Sequence, residues 1–129
     1  MKIVVNRCYG GFGLSHEAML RYLVLKGHTP YWEVDELTKK YFGGDPSLNK
    51  GVVHYGTQPD FMSEGNPGYL YDSDIVRNDL ILVRVVEEMG DAANGQHAEL
   101  AVVEIPDGVV WEIEEYDGRE WIAEEHRTW

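Results

Sequence analysis

Lys2-Ile3-Val4-Val5-Asn6 followed by Cys8-Tyr9-Gly10-Gly11-Phe12-Gly13-Leu14-Ser15 is the stretch on which the fold turns. Three consecutive β-branched residues between polar ends predict a short strand. Ser15 is placed to cap a helix, and Glu17 stands in its first turn, where a carboxylate complements the helix dipole. Ala18, Met19, Tyr22, Leu23 and Lys26 continue with helical spacing, and Gly27 supplies a C-terminal stop. The segment therefore reads as a β-loop-α unit.

Working outward, Asn78-Asp79 caps a second helix. Ile81, Leu82, Val85, Val86 and Met89 recur at i, i+1, i+4, i+5 and i+8, which makes one apolar stripe, and Gly90 ends it. Residues 98–105 read as a strand and Pro106-Asp107-Gly108 as a turn. Residues 109–116 and 120–124 form a hairpin around Asp117-Gly118, the dipeptide that a type I′ turn prefers. That turn pairs Ile113 with Ile122 on one face and Glu114 with Trp121 on the other. The fold class expected is α+β: one mostly antiparallel β-sheet with about two α-helices packed on one face.

The middle, residues 28–76, is a loop-rich insertion. Tyr31-Trp32-Glu33-Val34 and Val52-Val53-His54-Tyr55 read as short strands, and residues 35–42 as a short helical turn. Residues 58–68 carry two prolines and two glycines and show no period. Tyr31, Trp32, Tyr41, Phe42, Tyr55, Phe61, Tyr69 and Tyr71 crowd this region. They serve either to pack long loops on the sheet or to stack against a ligand.

A chain of 129 residues, 43% hydrophobic and 26% charged, fits one compact domain over 1–129. No stretch is long enough to span a membrane, no signal-peptide core follows the start, and Cys8 stands alone without a disulfide partner. A cytoplasmic, soluble protein is expected. Eleven basic residues against 23 acidic ones give a net charge of −12, which repels a nucleic-acid polymer. The charge does not exclude a small anionic ligand held in a local pocket.

Candidate chemistry lies at the two ends. The run Tyr9-Gly10-Gly11-Phe12-Gly13-Leu14-Ser15 brings backbone N–H groups to a helix N-terminus, which suits a phosphate or carboxylate. It lacks the spacing of a dinucleotide fingerprint and the lysine of a P-loop. The structural alternative is a tight βα turn that needs glycine for its backbone angles. Cys8, ahead of the helix, is either a nucleophile with a lowered pKa or a small buried side chain. At the C-terminus, His126-Arg127-Thr128-Trp129 docks on the body, with Arg127 neutralising a ligand or bridging to Glu115, Glu124 or Glu125. The ligand-binding set expected is Cys8, Tyr9, Gly10, Gly11, Phe12, Gly13, Ser15, His126 and Arg127. His16, His28, His54, His97 and His126 show no metal-ligand spacing, so no metal, cofactor or catalytic residue is assigned. Glu112, Glu114 and Glu115 read as a solvated strand face.

Both ends carry a resemblance. The segments at residues 2–6, 8–15, 85–90, 103–107, 111–118 and 126–129 resemble a family of small, mostly uncharacterised phage and bacterial proteins, over roughly half the chain. The resemblance implies a phage or prophage context and a host-cytoplasmic location, with no settled activity. By analogy it suggests an anti-defence protein that sequesters a nucleotide-derived immune signal. The rivals are an acidic protein that inhibits a host protein, and a small enzyme using Cys8. Self-association stays open.

Overall fold

The computed structural model describes residues 1–124 in full and the backbone of Arg127 and Thr128. Its elements are β1 (Lys2–Asn6), α1 (His16–Leu25), β2 (Tyr31–Val34), α2 (Glu36–Phe42), β3 (Val53–Gly56), β4 (Tyr69–Leu70), α3 (Leu80–Met89), β5 (Leu100–Glu104), β6 (Glu112–Tyr116), β7 (Arg119–Glu124) and β8 (Arg127–Thr128). The α+β class holds, with every strand pairing antiparallel.

β1 organises the rest. It pairs with β5 in the register Val4↔Val102. Successive side chains of a strand point to opposite faces, and both faces of β1 are buried. Val4 enters a core with Met19, Tyr22 and Leu23 of α1 and Leu82, Val85 and Val86 of α3. Ile3 and Val5 enter a second core with Ile105 and Ile122. β1 thus lies between a helical layer and the β6–β7 hairpin.

The expected single sheet is corrected: among the described residues the strands form three small sheets, β1–β5, β2–β3–β4 and β6–β7–β8. The physical reason is that the apolar pattern specifies which faces are buried and leaves edge partners open. Nor do the helices cover the only buried face of β1, because the hairpin packs on the other. α2 makes a third helix where a short helical turn was expected, and the Asp35 side chain caps it by accepting the Leu37 N–H.

The two longer helices form as their caps predict. Ser15 Oγ accepts the Ala18 N–H at 3.1 Å, and Asp79 Oδ1 accepts the Ile81 N–H at 2.8 Å. Asp79 also fastens one helix to the other, accepting a hydrogen bond from Tyr22 at 2.7 Å and pairing with Lys26 at 2.7 Å. The apolar stripe of α3 buries Leu82, Val83, Val85 and Val86, while Ile81 and Met89 sit at its margin. In the hairpin, Ile113 faces Ile122 and Glu114 faces Trp121 across a turn with φ of 50° at Asp117 and 88° at Gly118, both positive as a type I′ turn requires.

Among the described residues, the edge of β1 that meets no strand is closed by one main-chain carbonyl and one side chain. The Val4 N–H donates to the Arg77 carbonyl at 2.8 Å, and the Asn6 N–H donates to Glu120 Oε1 at 2.8 Å. Arg77 and Glu120 are themselves a two-point ion pair, at 2.6 and 2.9 Å, with side chains only 17% and 9% exposed. Removing one member of a buried pair strands the other charge. Glu120→Ala is therefore expected to lower the unfolding free energy by about 3–5 kcal/mol in urea titrations. Glu114→Ala, at an exposed position of the same hairpin, should change it by no more than about 0.5 kcal/mol.

Candidate functional site

A cleft of about 470 Å³ opens beside the N-terminus of α1, within the size range of small-molecule sites. Residues 10–14 and 95–97 form one wall. Residues 49–55 and 69–72 form the other, and His16 and Met19 of α1 complete the lining. The loop-rich middle of the sequence thus supplies half of the site.

The glycine-rich wall is built by close backbone approach. A Cβ on Gly10, at φ 142°, would meet the His97 carbonyl oxygen at 2.7 Å. Gly95 abuts Gly13, and its N–H donates to the Gly13 carbonyl at 2.9 Å. Part of the backbone that this run presents is already engaged. The Gly10 N–H donates to the Asp117 carbonyl at 3.1 Å, the Leu14 amide to the Asp72 carboxylate, and the His16 N–H to Asn49 Oδ1 at 2.7 Å. Asn49 adopts a left-handed conformation with φ of 54° to reach that position.

Of the sequence-predicted ligand set, Gly10, Gly11, Phe12 and Gly13 line the cleft. Phe12 lies under the Arg77 guanidinium, 3.6 Å from its ring centre. Cys8, Tyr9 and Ser15 do not line it. The Cys8 thiol donates to the carbonyls of Tyr9 and His97, at 3.3 and 3.5 Å, a pair of contacts that includes no general base for a nucleophile. Tyr9 is exposed, and Ser15 is buried as the α1 cap with its hydroxyl donating to the Ala92 carbonyl at 2.6 Å. Arg127 stands opposite Glu124 in the β7–β8 register. His126 lies outside the described residues.

Sequence reasoning missed the opposite wall as a set. Tyr55, Tyr69 and Tyr71 belong to the aromatic-rich middle, which did signal stacking capacity, but nothing in their spacing paired them with histidines. His16 Nδ1 and the Tyr55 hydroxyl are 2.9 Å apart, and Trp32 packs edge-on against the His16 ring at 5.3 Å. His54 bridges two groups: its Nδ1 meets the Tyr69 hydroxyl, and its Nε2 lies 2.9 Å from Asp35 Oδ1. The rings of Tyr69 and Tyr71 are 4.5 Å apart.

Burial sets the charge states. It raises the pKa of the Tyr55 and Tyr69 phenols, so both are neutral at physiological pH. It lowers that of His16, against the opposing fields of Glu17 and Asp45, and it raises that of Asp72 above the ordinary carboxylate value. Lys50 is the only Lys or Arg among the lining residues. Among the described residues no group of three His, Cys, Asp or Glu gathers as a metal site, and no helix is long and apolar enough to cross a membrane.

In comparisons with known proteins, no family model, no curated protein and no solved structure matches the chain.

The lowered pKa of His16 makes a pH prediction. The unfolded imidazole takes up a proton near pH 6.5 while the folded one resists, so the stability that neutral His16 contributes is complete above that pH and declines as the pH falls below it. The carboxylates of Asp35, Asp45, Asp79, Glu88 and Asp107 have lowered pKa values, so their contribution is lost only in a more acidic window. Urea unfolding from about pH 7.5 to 5 should show a downward slope that the His16→Gln variant largely lacks.

Proposed function

We propose that this chain is a non-enzymatic small-ligand-binding protein whose cleft takes a ring-bearing, nucleotide-like molecule. In the phage context implied by the resemblance of its two ends, it acts as a sequestering protein for a nucleotide-derived immune signal. The observation that carries the reading is the cleft itself, whose lining combines side-chain-poor glycines with Tyr55, Tyr69 and Tyr71. A flat ring fits such a lining, because glycine leaves room and tyrosine faces supply stacking area. Lys50, the one basic side chain of the lining, would receive the anionic part.

A second reading has its own observation. α2 exposes Leu37, Tyr41 and Phe42 beside Lys39 and Lys40, a surface that would suit docking to a host protein. Such docking would require no small molecule and, if steered by the net charge of −12, would weaken steeply with salt.

Thermal unfolding against linear, cyclic and ADP-ribose-type nucleotides tests the first reading. A ligand at about 100 times its dissociation constant stabilises by roughly 2.7 kcal/mol, a shift on the order of 8–15 °C for a chain of this size. Tyr71→Ala should reduce that shift by at least half. A flat response to the whole panel would remove the nucleotide reading and favour the docking surface on α2.

A further inference from the structure

The polar groups of the aromatic wall have a defined hydrogen-bonding sense. The Asp35 carboxylate can only accept, so His54 Nε2, 2.9 Å from it, carries the ring proton. In the neutral imidazole Nδ1 is then an acceptor, and the Tyr69 hydroxyl that meets it is the donor. With a neutral imidazole the Tyr69 proton is committed to His54, and its oxygen then offers lone pairs to the cleft it lines.

Asp72 is the second acceptor. Its carboxylate binds the Leu14 amide and lies beside the glycine wall, with Oδ2 3.6 Å from the place a Cβ on Gly13 would occupy. The absent side chain at Gly13 leaves a flat group room to approach that oxygen. The Asp72 charge also reaches the Tyr69 hydroxyl, one of the groups that keep its phenol neutral. The Tyr69–Tyr71 ring pair adjoins both acceptors in sequence and lines the same cleft.

Resting on the small-ligand reading above, we propose that Asp72 and Tyr69 form an acceptor pair that reads a planar ligand edge carrying adjacent N–H donors. That is the amidine pattern shared by the N1–H and N2–H₂ edge of guanine and by a guanidinium group. Adenine offers one donor and one acceptor on the corresponding edge and leaves an acceptor of the pair facing a lone pair. Hypoxanthine keeps the ring N–H and lacks the exocyclic amine. A site built to receive a donor rejects an analogue that lacks it far more strongly than it rejects a difference in apolar bulk. Burial raises the pKa of the Asp72 carboxyl although the Leu14, Ser73 and Asp72 amides and the Arg77 charge favour its ionised form, and a donor edge would add to that support.

The test is calorimetric titration of the wild-type chain with guanosine 5′-monophosphate, inosine 5′-monophosphate, adenosine 5′-monophosphate and agmatine. The expected result is binding of guanosine monophosphate or agmatine, with inosine and adenosine monophosphates at least about tenfold weaker than the guanine nucleotide if that is the one bound. Asp72→Asn and Tyr69→Phe should each lose about tenfold or more for the bound compound. Asp72→Asn should do so with an unfolding temperature at or above wild type, since it removes a poorly solvated charge. Guanosine monophosphate without agmatine identifies the base as the source of the donor edge, and agmatine alone identifies a guanidinium. Equal affinity for the guanine and hypoxanthine nucleotides overturns the proposal, as does unchanged binding by folded Asp72→Asn. If neither guanosine monophosphate nor agmatine binds while another nucleotide of the thermal panel does, the acceptor pair falls and the small-ligand reading stands. If nothing in either set binds, both fall.

Discussion

β1 is buried on both faces, yet only one of its edges meets a strand. A buried backbone N–H without a partner costs about 1–3 kcal/mol, and the open edge carries two such groups, at Val4 and Asn6. The chain satisfies them with Arg77 and Glu120, which approach from opposite sides: Arg77 from just before α3, Glu120 from β7. A buried ion pair on its own is weak evidence for stability, because desolvation offsets much of the attraction. Here the two charged residues also receive the main-chain N–H groups and hold each other in a two-point geometry. The helical layer and the hairpin both pack on β1, so both depend on that edge being closed.

The same closure positions the candidate site. Asn6, whose N–H binds Glu120, uses its side chain to donate to the carbonyls of Cys8 and Gly118, each at 2.8 Å, and to accept the Glu99 N–H at 2.8 Å. The start of the glycine-rich loop, the hairpin turn and the approach to β5 therefore meet at one buried amide. Arg77 then lies over Phe12. A cleft wall held in this way has little freedom to collapse, which is what preorganised binding requires. Cys8 finds its place in this arrangement as a residue at the joint, with its thiol directed at carbonyl oxygens.

Local chemistry made the caps and the hairpin legible. Ser15, Asp79 and Asp117-Gly118 act within four residues of themselves, and the Ile113–Ile122 pairing follows from the turn alone. The three-sheet arrangement was not legible, because closing β1 with Arg77 and Glu120 joins residues whose separation leaves no periodic trace. The site divides along the same line. Gly10, Gly11, Phe12 and Gly13 advertise a special backbone and do line the cleft. Asn49, His54 and Asp72 stand in the loop-rich middle and acquire roles only through contacts with His16, Tyr69 and Leu14. Aromatic density was the signal for a site in that stretch, and it named the residue type without the geometry.

Electrostatics decides how a nucleotide-like ligand would orient. The proposed site sits in a chain of net charge −12 and is lined by a single lysine. A helix N-terminus next to glycines is ordinarily an anion site. At α1, however, Asn49 Oδ1 takes the His16 amide and the Asp72 carboxylate takes that of Leu14. A phosphate at that point would face the Asp72 charge in a partly desolvated setting, where like charges repel more strongly than in water. Lys50 stands in the other wall with Asn49 and Gly51, and the ordinary resting place for an anionic group is beside it. The ring of the proposed ligand would then point toward Tyr69, Tyr71 and Asp72, with the glycines admitting a flat edge and the lysine neutralising the charge that follows it.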